Sequence, residues 1–339
     1  MTSRIINAVP MALIFFMTAA VAAPLPQLNI DKTQTTVSGI SSGGYMAVQL
    51  HVAYSATFKK GAGVIAGGPF NCAENSLLNG IMRCLGRTAI PVSDLLKITN
   101  EWAKTGLIDP ITNLSASKVY LFAGAKDSAV APSTTSDLQA YYLNYIPAVN
   151  IMLKKDIEVE HAMVTDDYGA ECLTKATPFI NNCNFDLAGA MFQQLYGALA
   201  PRTKGNIDGS FIEFDQTMFV SGHGMAATGW VYAPKTCTSG TLCRVHVALH
   251  GCKQNTADIG QAFVQNAGYN RWADANNIVV LYPQTNQKAT NSCWDWWGYD
   301  DANYAKKSAP QMMAIVAMLE QLSSGNTAAK APPAPVAKR

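Results

Sequence analysis

The sequence predicts an α/β fold: a mostly parallel sheet with helices on both faces. Three observations carry that reading. Short β-branched or aromatic runs alternate with stretches of helical spacing along the whole chain, the pattern of strands joined by crossover helices. Several of the runs, such as Val119-Tyr120-Leu121-Phe122 and 278–282, are apolar throughout, as strands buried on both faces must be. The third is a glycine-flanked serine, Gly39-Ile40-Ser41-Ser42-Gly43, set between a β-prone run and an apolar helical pattern.

In chain order, Thr35, Thr36 and Val37 open the first strand, and Tyr45, Met46, Val48, Gln49 and Leu50 mark the helix after it. A strand is predicted at 119–122, ending on Ala123-Gly124, then a helix over 134–145. Residues 157–160 alternate like a strand, with His161 just beyond. Residues 172–184 read as loop and 187–199 as a helix. Strands follow within 218–233 and at 244–249, then a helix over 261–276, a strand at 278–282 and an amphipathic helix over 311–322. No repeat and no Gly/Pro/Ser-rich linker divides the chain, so residues 23–322 are expected to form one domain.

The ends differ from the middle. Arg4, an apolar run from Ala8 to Val21 broken by Pro10 and Thr18, and Ala20-Val21-Ala22 before Ala23 and Pro24 have the order of a secretory signal peptide over residues 1–22. A membrane span would need about 20 apolar residues. Residues 323–339 are Ala/Pro-rich without an aromatic side chain and are predicted to be a disordered tail. The formal charge of +2 falls by four, to −2, once Arg4, Lys330, Lys338 and Arg339 are set aside. A near-neutral body gives no reason to expect nucleic acid or membrane as partner, and a monomer in the periplasm or outside the cell is expected.

All 8 cysteines lie beyond the leader, and an even number in an exported chain favours disulfides. Local pairs are Cys72 with Cys84, Cys172 with Cys183 and Cys237 with Cys243, leaving Cys252 for Cys293, although spacing alone does not fix connectivity. The ligand intervals of a zinc site are absent, and neither metal nor cofactor is expected.

Gly-x-Ser-x-Gly between strand and helix is the nucleophile elbow of an α/β-hydrolase. Glycines let strand and helix approach while the serine occupies a strained turn, and the helix N-terminus favours negative charge beside it. A serine hydroxyl needs a histidine to take its proton and an acid to orient that histidine. Asp127, one turn past the 119–122 strand, stands at the carboxyl edge where catalytic groups gather, and His161 follows it. Ser41, Asp127, His161 is the chain order expected of the triad. Asp166 and Asp167 rank second because no strand presents them. His51, His246 and His223 have surface, packing or loop contexts. Val247-Ala248-Leu249-His250-Gly251-Cys252 reads as the oxyanion strand and loop, with the amides of Ser42 and Cys252 as donors and His250 structural. That strand ordinarily precedes the nucleophile, yet here it follows by about two hundred residues. Moving 218–322 in front of 25–199 restores the usual order, so a circular permutation is expected.

Four segments carry a family resemblance: Ser38 to Met46, Leu121 to Asp127, Val247 to Asn255 and Asn291 to Tyr299. Their order resembles that of secreted, single-domain, circularly permuted polyhydroxybutyrate depolymerases. The resemblance implies hydrolysis of poly(3-hydroxybutyrate) esters through Ser41, Asp127 and His161, with Asn291 and Trp296 lining a polymer-binding crevice. Strand alternation would send Trp294 and Trp296 to one side and Trp297 to the other. Two other readings compete: an exported carbohydrate esterase acting on acetyl or feruloyl groups, and a catalytically silent polymer-binding protein.

Overall fold

The computed structural model describes residues 22–325. The predicted leader, apart from Ala22, and residues 326–339 of the predicted tail lie outside the described residues. Ser323–Gly325, assigned from the sequence to the tail, instead form a 3₁₀ turn closing the last helix, with Ser323 buried.

The main strands are β1 (Thr36–Ile40), β2 (Gly61–Ile65), β3 (Lys118–Phe122) and β4 (Ile151–Lys154). After the short β5 (Met163–Thr165), β6 (Ala170–Glu171) and β7 (Ile180–Asn182) come β8 (Ser210–Asp215), β9 (Thr228–Ala233), β10 (Arg244–Leu249) and β11 (Ile278–Tyr282). Eight of them form one sheet in the order β4-β3-β2-β1-β10-β11-β9-β8. The pairs from β4 through to β11 are parallel, and only β11 with β9 and β9 with β8 are antiparallel. The mostly parallel sheet of an α/β-hydrolase is therefore present. β5, β7 and β6 form a separate three-stranded sheet.

Burial follows position in the sheet. Central β1, β2 and β11 are buried at every residue, whereas edge strands β4 and β8 are half-exposed, as expected when helices cover both faces. One face packs Val37, Val64, Leu121, Val247 and Leu281 against the helices Ser42–Ala53 and Pro310–Leu322. The other packs Ile65, Phe122, Ala248 and Val280 against the helix Leu187–Tyr196. His246 faces this second side, where its ring nitrogens bond Thr36 Oγ1 and Ser38 Oγ at 2.7 Å each.

Three predicted elements change, the first being the 172–184 loop, within which Ile180–Asn182 form β7 between β5 and β6. Residues 157–160 are not a strand: Ile157 and Val159 carbonyls accept the amides of Ala125 and Lys126, so the segment is tied to the loop after β3. The sheet is finished by β4 instead. The predicted 261–276 helix is two, Ala262–Asn266 and Tyr269–Ala275, parted at Gly268 with φ 90°.

Both ends of the described chain meet. Leu28 N–H donates to Leu322 O at 2.7 Å, and Lys32 pairs with Glu320 at 2.5 Å. The four predicted disulfides are formed, and no described cysteine is free.

Candidate active site

Ser41 occupies the turn between β1 and the helix Ser42–Ala53 with φ 57° and ψ −122°, a region that bulky residues avoid. Its neighbours explain how the turn survives. A Cβ on Gly39 would stand 2.2 Å from Gly43 O, and one on Gly43 would stand 2.3 Å from His250 O. Only glycine at both positions lets β1, the helix and the end of β10 approach so closely. The first helical bond runs from Tyr45 N–H to Ser41 O at 3.0 Å, which leaves the Ser42 amide in the first turn without an intrahelical acceptor.

The loop after β3 presents Asp127 and the loop after β4 presents His161. Asp127 Oδ2 accepts from His161 Nδ1 at 2.8 Å. Its other oxygen accepts the amides of Ala129 and Val130, each at 2.8 Å, so the acid cannot swing away. With Nδ1 bonded to the carboxylate, Nε2 is the nitrogen left to act as base. Asp127 is almost fully buried and His161 is 13% exposed, enough for the ring to face a ligand. Glu160, unnoticed in the sequence, ties the two loops together. Its Oε2 accepts the amides of His161 at 2.9 Å and Ser128 at 3.2 Å. Burial pushes the Glu160 carboxyl up, but the bonds from Ser128 and from the His161 backbone outweigh it and hold the group below the usual range.

The loop after β10 is pinned from three sides. Gly251 N–H donates to Gln254 Oε1 at 2.8 Å, and Gln254 Nε2 donates to the carbonyls of Pro178 and Phe179 at 2.9 Å. Lys253 N–H donates to Asn291 O at 3.1 Å, and Cys252 is bonded to Cys293. Between two committed amides, that of Cys252 has no hydrogen-bond acceptor among the described residues. His250 is buried. The Thr285 amide can only donate, at 3.2 Å to Nε2, so Nδ1 carries the proton and donates to Gly251 O at 2.7 Å. Burial lowers the His250 pKa to about 4, and the ring braces the loop as a neutral group.

Ser41, Ser42, His161, Cys252, Asn291 and Trp296 all line one apolar cavity of about 470 Å³. Among the described residues no hydrogen bond joins Ser41 Oγ to His161, a bond often loose before substrate arrives. His223 is instead paired with Asp300 at 2.9 Å, and Asp166 and Asp167 are engaged by Arg202 and Arg271. His51 is buried with Nδ1 2.9 Å from the Tyr142 hydroxyl.

The tryptophan segment departs from strand alternation. Trp294 is fully buried and donates through Nε1 to His250 O at 3.0 Å, while Trp296 and Trp297 both line the cavity. The cause is Asp295, whose carboxylate gathers the amides of Gly298, Tyr299, Asp300 and Asp301. The chain turns around that carboxylate and delivers consecutive rings to the same space. Trp296 stacks on Tyr45 with centroids 5.2 Å apart. Leu77, Ile81, Phe179 and Lys175 also line the walls. No local pattern announces them, because they arrive from distant segments.

The family profile described as Esterase PHB depolymerase matches residues 230–325. A poly(3-hydroxybutyrate) depolymerase of Delftia acidovorans is 61% identical over 320 residues, 93% of this chain; the chain spans 65% of that protein's length. A polyhydroxybutyrate depolymerase of Talaromyces funiculosus is 38% identical, with 90% of this chain and 94% of the relative covered. Two solved structures match over 89% of this chain and 99% of theirs. One is a PHB depolymerase complexed with an R3HB trimer (38% identity, TM-score 0.84), the other the PHB depolymerase of Penicillium funiculosum (37%, TM-score 0.85).

Proposed function

This chain belongs to the polyhydroxybutyrate depolymerase family, and from that premise we propose that it is an exported serine esterase hydrolysing poly(3-hydroxybutyrate). One observation carries the reading for this chain: an elbow serine and a carboxylate-held histidine open into the same apolar cavity. An uncharged polyester is the kind of ligand such walls accept.

In the proposed reaction Ser41 Oγ attacks the ester carbonyl as His161 Nε2 takes its proton. Asp127 holds the imidazole in the required tautomer and stabilises its cation. The negative charge on the former carbonyl oxygen is met by the amides of Ser42 and Cys252, each such donor contributing on the order of 10²–10³ in rate. His161 returns the proton to the leaving alkoxide, freeing a hydroxyl-ended fragment and leaving the acyl group on Ser41. Water, deprotonated by His161, then releases the acid. Asn291 and Trp296 act in holding the chain across the cavity, a role supported by their place in its lining.

Export through the leader at residues 1–22 is supported by the four disulfides, and no described helix is long and apolar enough to cross a membrane. Circular permutation is supported by the junction of the ends at Leu28 and Leu322. The test is to incubate purified protein with the polymer and analyse the released acids. Ser41→Ala and His161→Gln should each abolish release while leaving the melting temperature near the parent's, and the double variant should be no worse than either. Substantial turnover by Ser41→Ala would refute the nucleophile assignment.

A further inference from the structure

The cavity walls hold a charge that an uncharged polymer does not explain. Among the described residues no carboxylate lines the cavity, but two lysines do, Lys175 and Lys253. They are not equivalent. Lys175 Nζ donates to Ser128 Oγ at 2.8 Å and lies in the field of Glu160. Lys253 forms no ion pair and no side-chain hydrogen bond among the described residues.

Its backbone is also unusual. Lys253 adopts φ 56°, a left-handed conformation that glycine or asparagine would occupy more cheaply. The loop enforces it through the Asn291 carbonyl, the Gln254 clamp and the Cys252–Cys293 bridge. A strained lysine with a fixed root, next to Cys252 and at the edge of an apolar cavity, is a reason to look for a function.

We infer that Lys253 reads the terminal carboxylate of short 3-hydroxybutyrate oligomers and thereby favours soluble fragments over equally long neutral chains. The inference rests on the esterase reading above. A poly(3-hydroxyacid) chain has one neutral hydroxyl end and one carboxyl end, which is ionised at neutral pH. In a long polymer that charge is diluted among many ester bonds. In a trimer it lies within a few units of each bond, so a single cation beside the cavity can orient the whole molecule. Lys253 is exposed, and salt should therefore screen the attraction.

The test compares the linear (R)-3-hydroxybutyrate trimer as free acid with its methyl ester, using the whole purified protein. An ion pair at contact distance in water supports a preference for the acid of about five-fold in kcat/KM at low ionic strength. We expect that preference to fall toward parity in 0.5 M salt (about a 4 Å screening length). Lys253→Met should show parity at both ionic strengths, Lys253→Arg should keep the preference, and Lys253→Glu should reverse it. Equal turnover of acid and ester by the parent protein, or a preference unchanged in Lys253→Met, would overturn the inference while leaving the esterase intact. Hydrolysis of neither trimer would overturn both. The salt comparison on the parent chain needs no variant, so misfolding of a substituted protein cannot obscure the result.

Discussion

Replacing Asp295 with asparagine should loosen the tryptophan wall without altering a residue assigned to bond cleavage. Asp295 Oδ1 accepts the amides of Gly298 and Tyr299 at 2.7 and 2.9 Å, and Oδ2 those of Asp300 and Asp301 at 3.2 and 3.0 Å. Asparagine keeps one acceptor and turns an NH₂ group toward the other two donors. Each buried donor left unpaired costs about 1–3 kcal/mol, which sets a gross loss of about 2–6 kcal/mol. Burial pushes the Asp295 carboxyl above its usual range, against the pull of its backbone partners, so removing the charge returns part of the desolvation cost. We expect a net loss of about 2–3 kcal/mol, read as a lower urea midpoint at pH 7. The functional signature should be selective. KM for 3-hydroxybutyrate oligomers should rise several-fold, because the turn carrying Trp296 and Trp297 loses two of its four anchors. A short p-nitrophenyl acyl ester, which needs little of that wall, should be hydrolysed nearly as before. Stability within about 0.5 kcal/mol of the parent, the level of an inconsequential surface change, would refute the anchoring argument. So would equal losses on both esters.

Two further outcomes follow from the same geometry. Glu160→Ala should lower kcat on every ester by about ten-fold while sparing KM, since the loops holding Asp127 and His161 lose their shared acceptor and small misplacements are costly; Glu160→Gln, which keeps a carbonyl oxygen, should restore much of the loss, and an unchanged kcat in Glu160→Ala would refute the clamp. Burial lowers the pKa of His51 and His246 to about 3 and that of His250 to about 4, from an ordinary 6.5. Because the folded values are depressed, the unfolded chain binds protons first as pH falls, so stability is fully present above about pH 6.5 and is lost from there down toward pH 3–4. At pH 5 the loss is roughly 2 kcal/mol per histidine, and thermal melts from pH 7 to pH 4 should show a steep fall that flattens when His246 is replaced by a neutral polar residue able to hold Thr36 and Ser38.

What the sequence disclosed is what short-range chemistry controls. Strands β10 and β11 have the predicted bounds: β11 is apolar throughout, and in β10 the apolar Val245, Val247, Ala248 and Leu249 carry the strand signal past His246, which is itself buried. The elbow was legible because its geometry admits so few residues. β2 escaped notice for the opposite reason. Its sequence Gly61-Ala62-Gly63-Val64-Ile65 has little β propensity, yet a Cβ on Gly63 would stand 1.9 Å from Met191 Sδ. Close packing against the Met191 side chain of the helix Leu187–Tyr196 favours the glycine that hides the strand. The alternating run at 157–160 misled because alternation records which side chains are buried, not which backbone partner is available. Ile157 and Val159 bond the loop of Asp127 rather than a neighbouring strand, and that is what brings His161 to the acid. Glu160 and Gln254 were invisible as site residues because each bonds a segment that only the fold brings near, the Ser128 amide and the carbonyls of Pro178 and Phe179. Asp295 acts by a local turn, gathering amides three to six residues on, where the sequence predicts strand alternation.

The separation of the elbow from the proposed oxyanion loop in sequence has a structural resolution that does not depend on chain order. β1 and β10 are parallel neighbours, with Val37 opposite Val247 and Gly39 opposite Leu249. The register carries Gly43 against the carbonyl of His250, so the two turns that would share the oxyanion are fixed by strand pairing and by the absence of a side chain at Gly43. Any covalent route linking the strands would serve, provided the new ends meet at the surface. Near the two ends of the described chain the buried Leu28 bonds the buried Leu322, and the exposed Lys32 pairs with Glu320, as the proposed permutation requires. The Cys252–Cys293 bridge adds what strand pairing cannot. It closes a loop of 41 residues, worth about 4 kcal/mol by chain entropy, and joins the proposed oxyanion donor to the wall bearing Trp296. With the proposed nucleophile, acid and base on the loops of β1, β3 and β4, the proposed oxyanion loop and the apolar wall come from the second half of the chain. Catalysis by the proposed site would require both halves to be docked, which would tie activity to completion of the fold.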